Sequence, residues 1–204
     1  TLMPSLLHPS VPVASALIAL GERRKISGPE FLHAFIVGVE VEARIANAIY
    51  ANHNSAWYIT GTTGPFGAAA AVGKILGLDE QQLLWALGIA ATEGAGLRQM
   101  AGTRAKALVH GRAAQSGLYA AFLAARGFTS SEQAIEGPRG FAKTLAQIAD
   151  AGAVVEGLGE RYEITLNTYK PYACGVVAHP VIDGCLTLRK QHALGPHDIR
   201  RVKL

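Results

Sequence analysis

The chain has 204 residues, of which 50% are hydrophobic and only 17% charged, which excludes a disordered chain and leaves room for one large domain or a domain with part of another. The net charge of +4 comes without a basic stripe, since the longest Lys/Arg run is Arg23-Arg24-Lys25 and aromatic residues are 7%, so no nucleic-acid partner is expected. No apolar stretch reaches the roughly 18–20 residues that a bilayer demands, and Cys174 and Cys185 alone make no disulfide framework, so the expectation is a cytoplasmic protein with no membrane partner.

Most of the chain reads as helix. Val13, Ala16, Leu17 and Leu20 repeat at helical spacing within a segment from Val11 to the charged turn ending at Lys25. Ser27-Gly28-Pro29-Glu30 is a helix start, with Ser27 as cap, Pro29 in the first turn and Glu30 three residues after the cap. The helix it opens puts Phe31, Leu32, Phe35, Ile36 and Val39 on one face and runs to about Tyr50. Residues 52–65 are polar and Gly-rich, and read as a long connection of the kind that often carries function.

A small-residue helix follows from Phe66 to Leu76, stopped by Gly77. Asp79 caps the next, which runs into Gly94-Ala95-Gly96. After an irregular stretch from Leu97 to Lys106, Leu108 to Arg126 is helical. Gly111, Ala114, Gly117 and Ala121 would let a neighbouring helix approach closely. Segments 131–134 and 140–149 read as short helices, and His179 to Arg189 as a longer one. Tyr162, Ile164 and Leu166 alternate like a strand, as do residues 199–204. The fold class expected is therefore mainly α: a helical bundle domain over 1–155, followed over 156–204 by the start of a smaller α+β domain. A chain that opens on Thr1 and closes on a strand-like segment reads as a fragment.

The polar residues narrow the chemistry. Histidines 8, 33, 53, 110, 179, 192 and 197 show no metal-ligand spacing, and neither a nucleophile elbow nor a phosphate loop is present, so no metal and no cofactor are expected. Four places stand out. His8, in His8-Pro9-Ser10 before a helix, can act as acid or base or be an ordinary loop histidine. Trp57-Tyr58-Ile59-Thr60 can line a pocket or simply anchor a loop. Arg104 and Lys106 sit near a helix start, which the helix dipole disfavours unless an anion offsets them; a solvated charge is the commoner case. Lys170 lies between Tyr169 and Tyr172 and before Pro171, so its stem is expected to be packed and its direction fixed, with His179 further on; Cys174 reads as a buried filler.

Four words in this order, TLMPSLLHPSVP (1–12), TGTTGPFGAAAAVGKILGL (60–78), RAKALVHGRAAQSG (104–117) and YKPYACGVVAHPVIDG (169–184), resemble the MmgE/PrpD family, which includes 2-methylcitrate dehydratase, cis-aconitate decarboxylase and iminodisuccinate epimerase. The resemblance covers nearly the whole chain. It implies a helical domain with a smaller α+β domain, a homodimer, and a metal-independent active site between the domains. It also implies a longer protein, with an acidic word before the HPS histidine of which only Thr1 is present here.

Carried over position by position, Thr1, His8, Lys106 and Lys170 match family pocket residues. Tyr58 falls where several members have a catalytic histidine, and a tyrosine hydroxyl is a poor base at neutral pH. His179 matches a histidine near the domain junction. The expectation is a dehydratase-type lyase on a small anionic carboxylate such as 2-methylcitrate. His8, Lys106 and Lys170 are its catalytic residues, and Thr1, Tyr58, Arg104 and His179 bind substrate. The alternatives are an epimerase of an amino- or imino-dicarboxylate, a cis-aconitate-type decarboxylase, or a non-catalytic helical module. The physical logic is that positioned ammonium groups offset negative charge developing on the substrate, while an imidazole exchanges the proton.

Overall fold

The computed structural model describes residues 1–2, 4–53, 55–147 and 152–203. Helices α1 (Ser10–Gly21), α2 (Gly28–Tyr50), α3 (Ile59–Leu76), α4 (Glu80–Thr92), α5 (Ala105–Ala124), α6 (Phe141–Ala146), α7 (Gly152–Val155) and α8 (His179–His192) follow one another. The fold is mainly α. Cα packing divides the chain into two compact units, Thr1–Asn167 and Thr168–Leu204.

Local chemistry sets the ends of the helices. At α2 the Glu30 amide donates to Ser27 Oγ (3.4 Å) and the Ser27 amide to Glu30 Oε2 (2.8 Å), a reciprocal cap. Asp79 and Gln82 repeat it at α4. Gly77 ends α3 at φ +70°, a left-handed conformation that glycine adopts without a Cβ penalty.

Helix α3 is the centre of the first unit, and here the structure departs from the expected connection over 52–65. The helix starts at Ile59 and runs through Pro65, and every residue from Ile59 to Gly73 is buried. Proline removes the N–H that would bond the Gly61 carbonyl four residues back. That carbonyl instead accepts from the Ala95 amide at 3.3 Å. Thr62 and Thr63 turn their hydroxyls onto the Ile59 carbonyl (3.0 and 2.8 Å), so polar side chains that read as loop are satisfied inside a buried helix.

Close helix approach explains the small residues. A Cβ on Gly117 of α5 would stand 2.4 Å from the Pro65 carbonyl oxygen and 2.5 Å from Ala68 Cβ. One on Gly67 of α3 would meet Glu42 Cβ at 2.7 Å and the Gly38 carbonyl of α2 at 2.8 Å. Gly111, expected on the packed face, instead points into open space. Phe66 and Phe141 meet edge to face at 4.7 Å and anchor α6 to this core.

The segment after α6 is held down by α2. The Arg44 guanidinium donates to the carbonyls of Val154, Glu156, Gly157 and Arg161, and its Nε lies 2.7 Å from Glu40 Oε1. Glu40 Oε2 accepts from the amides of Glu163 and Ile164, and Asn47 donates to Glu163. This pairing corrects the strand expected at Tyr162–Leu166. With two amides taken by a carboxylate, Glu163–Leu166 closes as a 3-10 turn. The strand expected over 199–204 is also absent among the described residues, where 199–203 has no regular structure; a strand needs a neighbour to pair with. Residues 132–136 form turns rather than a helix. Of the segment 140–149, Phe141–Ala146 is helical, and Ile148 and Ala149 lie outside the described residues.

Candidate active site

In the first unit, three helices begin close to one another, and the expected residues sit at their starts. His8 precedes α1. Leu2 and Leu7 exchange backbone hydrogen bonds (2.9 and 3.2 Å) across a turn in which Leu6 takes φ +52°, unusual for leucine. The His8 amide then donates to Thr60 Oγ1 of α3 at 3.2 Å, and its Nδ1 lies 3.2 Å from Thr1 Oγ1. Tyr58 is the N-cap of α3, pinned where its amide donates to the Gly96 carbonyl (2.8 Å) beside the Trp57–Leu97 bridge. Lys106 lies in the first turn of α5, and its Nζ stands 5.7 Å from the centroid of the Tyr58 ring. Arg104 is the N-cap of α5 and is exposed.

A side chain not singled out from the sequence completes the cluster. His110, one turn after Lys106, packs edge to face on Tyr58 (centroids 5.3 Å) and stacks near His8 at 6.4 Å. Its Nδ1–H donates to the Lys106 carbonyl at 3.0 Å. Burial holds its pKa below the ordinary histidine value, and the Lys106 charge adds to this against the opposing hydrogen bond. The i, i+4 spacing of Lys106 and His110 was the signal available, because it puts both on one helix face.

The arrangement suits an anion. The N-termini of α1, α3 and α5 each carry partial positive charge, and Lys106 adds a full charge. Thr1, His8, Tyr58 and Lys106 thus gather in the first unit. Lys170 and His179 belong to the second. There Lys170 is exposed and Tyr169 is 89% exposed, so the aromatic clamp expected around its stem is not formed. Tyr172 instead donates to Asp183 at 2.5 Å and meets the His179 ring edge to face at 5.4 Å. Among the described residues no three His, Cys, Asp or Glu side chains gather as metal ligands, and no helix is long and apolar enough to cross a membrane.

A helical domain with a cationic, imidazole-lined site at converging helix starts is the class defined so far. Residues 1–152 match the family model of the MmgE/PrpD N-terminal domain, and the chain belongs to that family. Among curated relatives, cis-aconitate decarboxylase of Aspergillus terreus (strain NIH 2624 / FGSC A1156) is 31% identical over 92% of this chain and 40% of its own length. The Homo sapiens cis-aconitate decarboxylase is 32% identical over 97% of this chain and 44% of its own. That of Mus musculus is 30% identical over 97% and 43%. The chain thus spans about two fifths of the length of these relatives.

Proposed function

We propose that the protein is a lyase that removes carbon dioxide from a small unsaturated tricarboxylate of the cis-aconitate kind. The observation that carries this reading is the Lys106, His8, Tyr58 and His110 cluster at the starts of α1, α3 and α5. When the carbon–carbon bond to the departing carboxylate breaks, its electron pair stays on the substrate. Lys106 and the helix N-termini offset that charge, and such preorganised charge is usually the largest catalytic contribution. One of the two imidazoles, His8 or His110, supplies the proton that ends the reaction. Lys170 is proposed as a second cation for the substrate, with Thr1, Arg104 and His179 as further binding groups. The names of the relatives support decarboxylation over the dehydration expected from the sequence.

Dehydration of a 2-methylcitrate-like substrate is kept as the second reading. Tyr58, standing where the resemblance puts a catalytic histidine in several family members, counts against decarboxylation and leaves the reaction open. We also propose a homodimer in the cytoplasm; the free thiols Cys174 and Cys185 suit a reducing compartment.

The test is to incubate the complete gene product with cis-aconitate and with 2-methylcitrate, following carbon dioxide and the unsaturated acid. Carbon dioxide from cis-aconitate is expected, with Lys106→Met lowering kcat at least 100-fold. Water loss from 2-methylcitrate alone would transfer the reading to the dehydratase. Deuterium exchange into an amino-dicarboxylate alone would point to the epimerase. No chemistry on any of them would favour the non-catalytic module.

A further inference from the structure

The first unit holds two imidazoles at the same place, and their surroundings differ. His8 Nδ1 is engaged by Thr1 Oγ1, and its backbone amide is tied to Thr60. His110 is 8% exposed, and its Nδ1–H is committed to the Lys106 carbonyl. That hydrogen bond fixes the ring plane and the tautomer, so the lone pair of the resting imidazole is on Nε2. Nε2 has no hydrogen-bond partner among the described residues. The groups facing this ring are Tyr58 from the start of α3, His8 from the segment before α1, and Lys106 from its own helix. None is an acid that would hold a permanent positive charge on the ring.

We propose that His110 is the catalytic acid of the site: its Nε2–H delivers the proton to the substrate carbon after carbon dioxide leaves. This assignment rests on the decarboxylase reading. The carbon–carbon bond breaks, carbon dioxide departs, and the electron pair delocalises over the remaining unsaturated acid. The Nε2–H bond then breaks as the new C–H bond forms. Neutral imidazole is left, and it takes its next proton from water. Tyr58 holds the ring edge-on, and the Lys106 carbonyl keeps it from turning over. Lys106 therefore contributes twice, through its ammonium group to the substrate and through its backbone to the acid. A neighbouring ammonium and a desolvated setting make imidazolium a willing donor, which agrees with the lowered pKa of this group.

The experiment uses the complete gene product and two independent readouts. In the first, His110→Gln is expected to lower kcat for carbon dioxide release from cis-aconitate by 10²–10⁴-fold, with KM changed less than fivefold. The fall in kcat that the wild type shows as pH rises through the His110 pKa would disappear, and imidazole added to His110→Gly would restore part of the rate. A His110→Gln enzyme that keeps more than half the wild-type kcat and the same pH profile overturns the assignment. The second readout needs no variant and no turnover. The ¹⁵N resonance of His110 Nε2 is followed while tricarballylate, a saturated tricarboxylate, is added. A saturable shift supports the placement of His110 against the ligand even if the wild type proves inactive on cis-aconitate, in which case only the reaction reading falls. An unmoved Nε2 resonance while other site resonances shift overturns it.

Discussion

Helices α3 and α8 are of comparable length, and their surroundings could hardly differ more. Every residue of α3 from Ile59 to Gly73 is buried, and its neighbours come close enough that glycine is required on both sides. No residue of α8 is buried, and Val181, Leu186 and Leu188 of its apolar set are exposed. Helix α3 exists because its surroundings fix it, despite a proline and three glycines in its first half. Helix α8 is held by its own hydrogen bonds, a proline in its first turn and the Tyr172 side chain on Asp183 and His179. The difference teaches where precision resides: the site of the first unit is built on the over-determined helix.

The largest expected effect breaks the first side of this comparison. Arg44→Ala removes a guanidinium that holds four carbonyls and leaves Glu40 buried without its ion partner, so the first unit should lose about 3–5 kcal/mol in urea unfolding. A loss under 1 kcal/mol would mean that the segment after α6 is not held from α2. Next comes Gly117→Ala, whose methyl group has no room against Pro65 and Ala68; about 1–3 kcal/mol should be lost, read from the urea midpoint.

Glu42 sharpens the comparison through pH. It is fully buried in the α2–α3 interface, both its oxygens lack hydrogen-bond partners among the described residues, and burial raises its pKa well above 4.5. Below pH 4.5 folded and unfolded chains both hold this proton. Above it the unfolded chain releases the proton while the folded chain keeps it, so stability falls as pH rises through the folded value. Glu42→Gln removes that slope, and its advantage over the wild type should grow from pH 5 to pH 8 in chemical denaturation. An unchanging difference would place Glu42 in a more polar setting than its burial indicates.

The smallest effect is on the other side. Gly184 of α8 has open space where a Cβ would be, so Gly184→Ala should stabilise the helix by up to about 1 kcal/mol and slow exchange of α8 amides by about fivefold. The same change is harmful at Gly117, and this pair of glycines gives the contrast its most direct measure.

Much of this was legible beforehand where a short-range chemical signal exists. Ser27 with Glu30, Asp79, and Gly77 each announce a helix end through their own side chain or backbone freedom, and each appears at its expected place. The start of α3 was not legible, because Thr60-Gly61-Thr62-Thr63-Gly64-Pro65 has loop composition and only its burial, with the Ala95 amide, makes it helical. The 3-10 turn at Glu163 depends on Glu40, 123 positions away, and a local alternation has no access to that. In the candidate site, His8, Tyr58 and Lys106 were read from motif words and do gather. His110 was passed over because its i, i+4 spacing from Lys106 puts both on one helix face without saying what that face meets.

The bond between the Ala95 amide and the Gly61 carbonyl has a consequence for how this protein tolerates change. Together with the Tyr58–Gly96 and Arg98–Ala56 bonds, it stitches the stretch leaving α4 directly onto the first turn of α3. Residues 94–98 therefore act as a ruler for the placement of the tyrosine ring. A single residue added or lost before Gly96 would shift the register of the stitches and displace the Tyr58 ring from a distance.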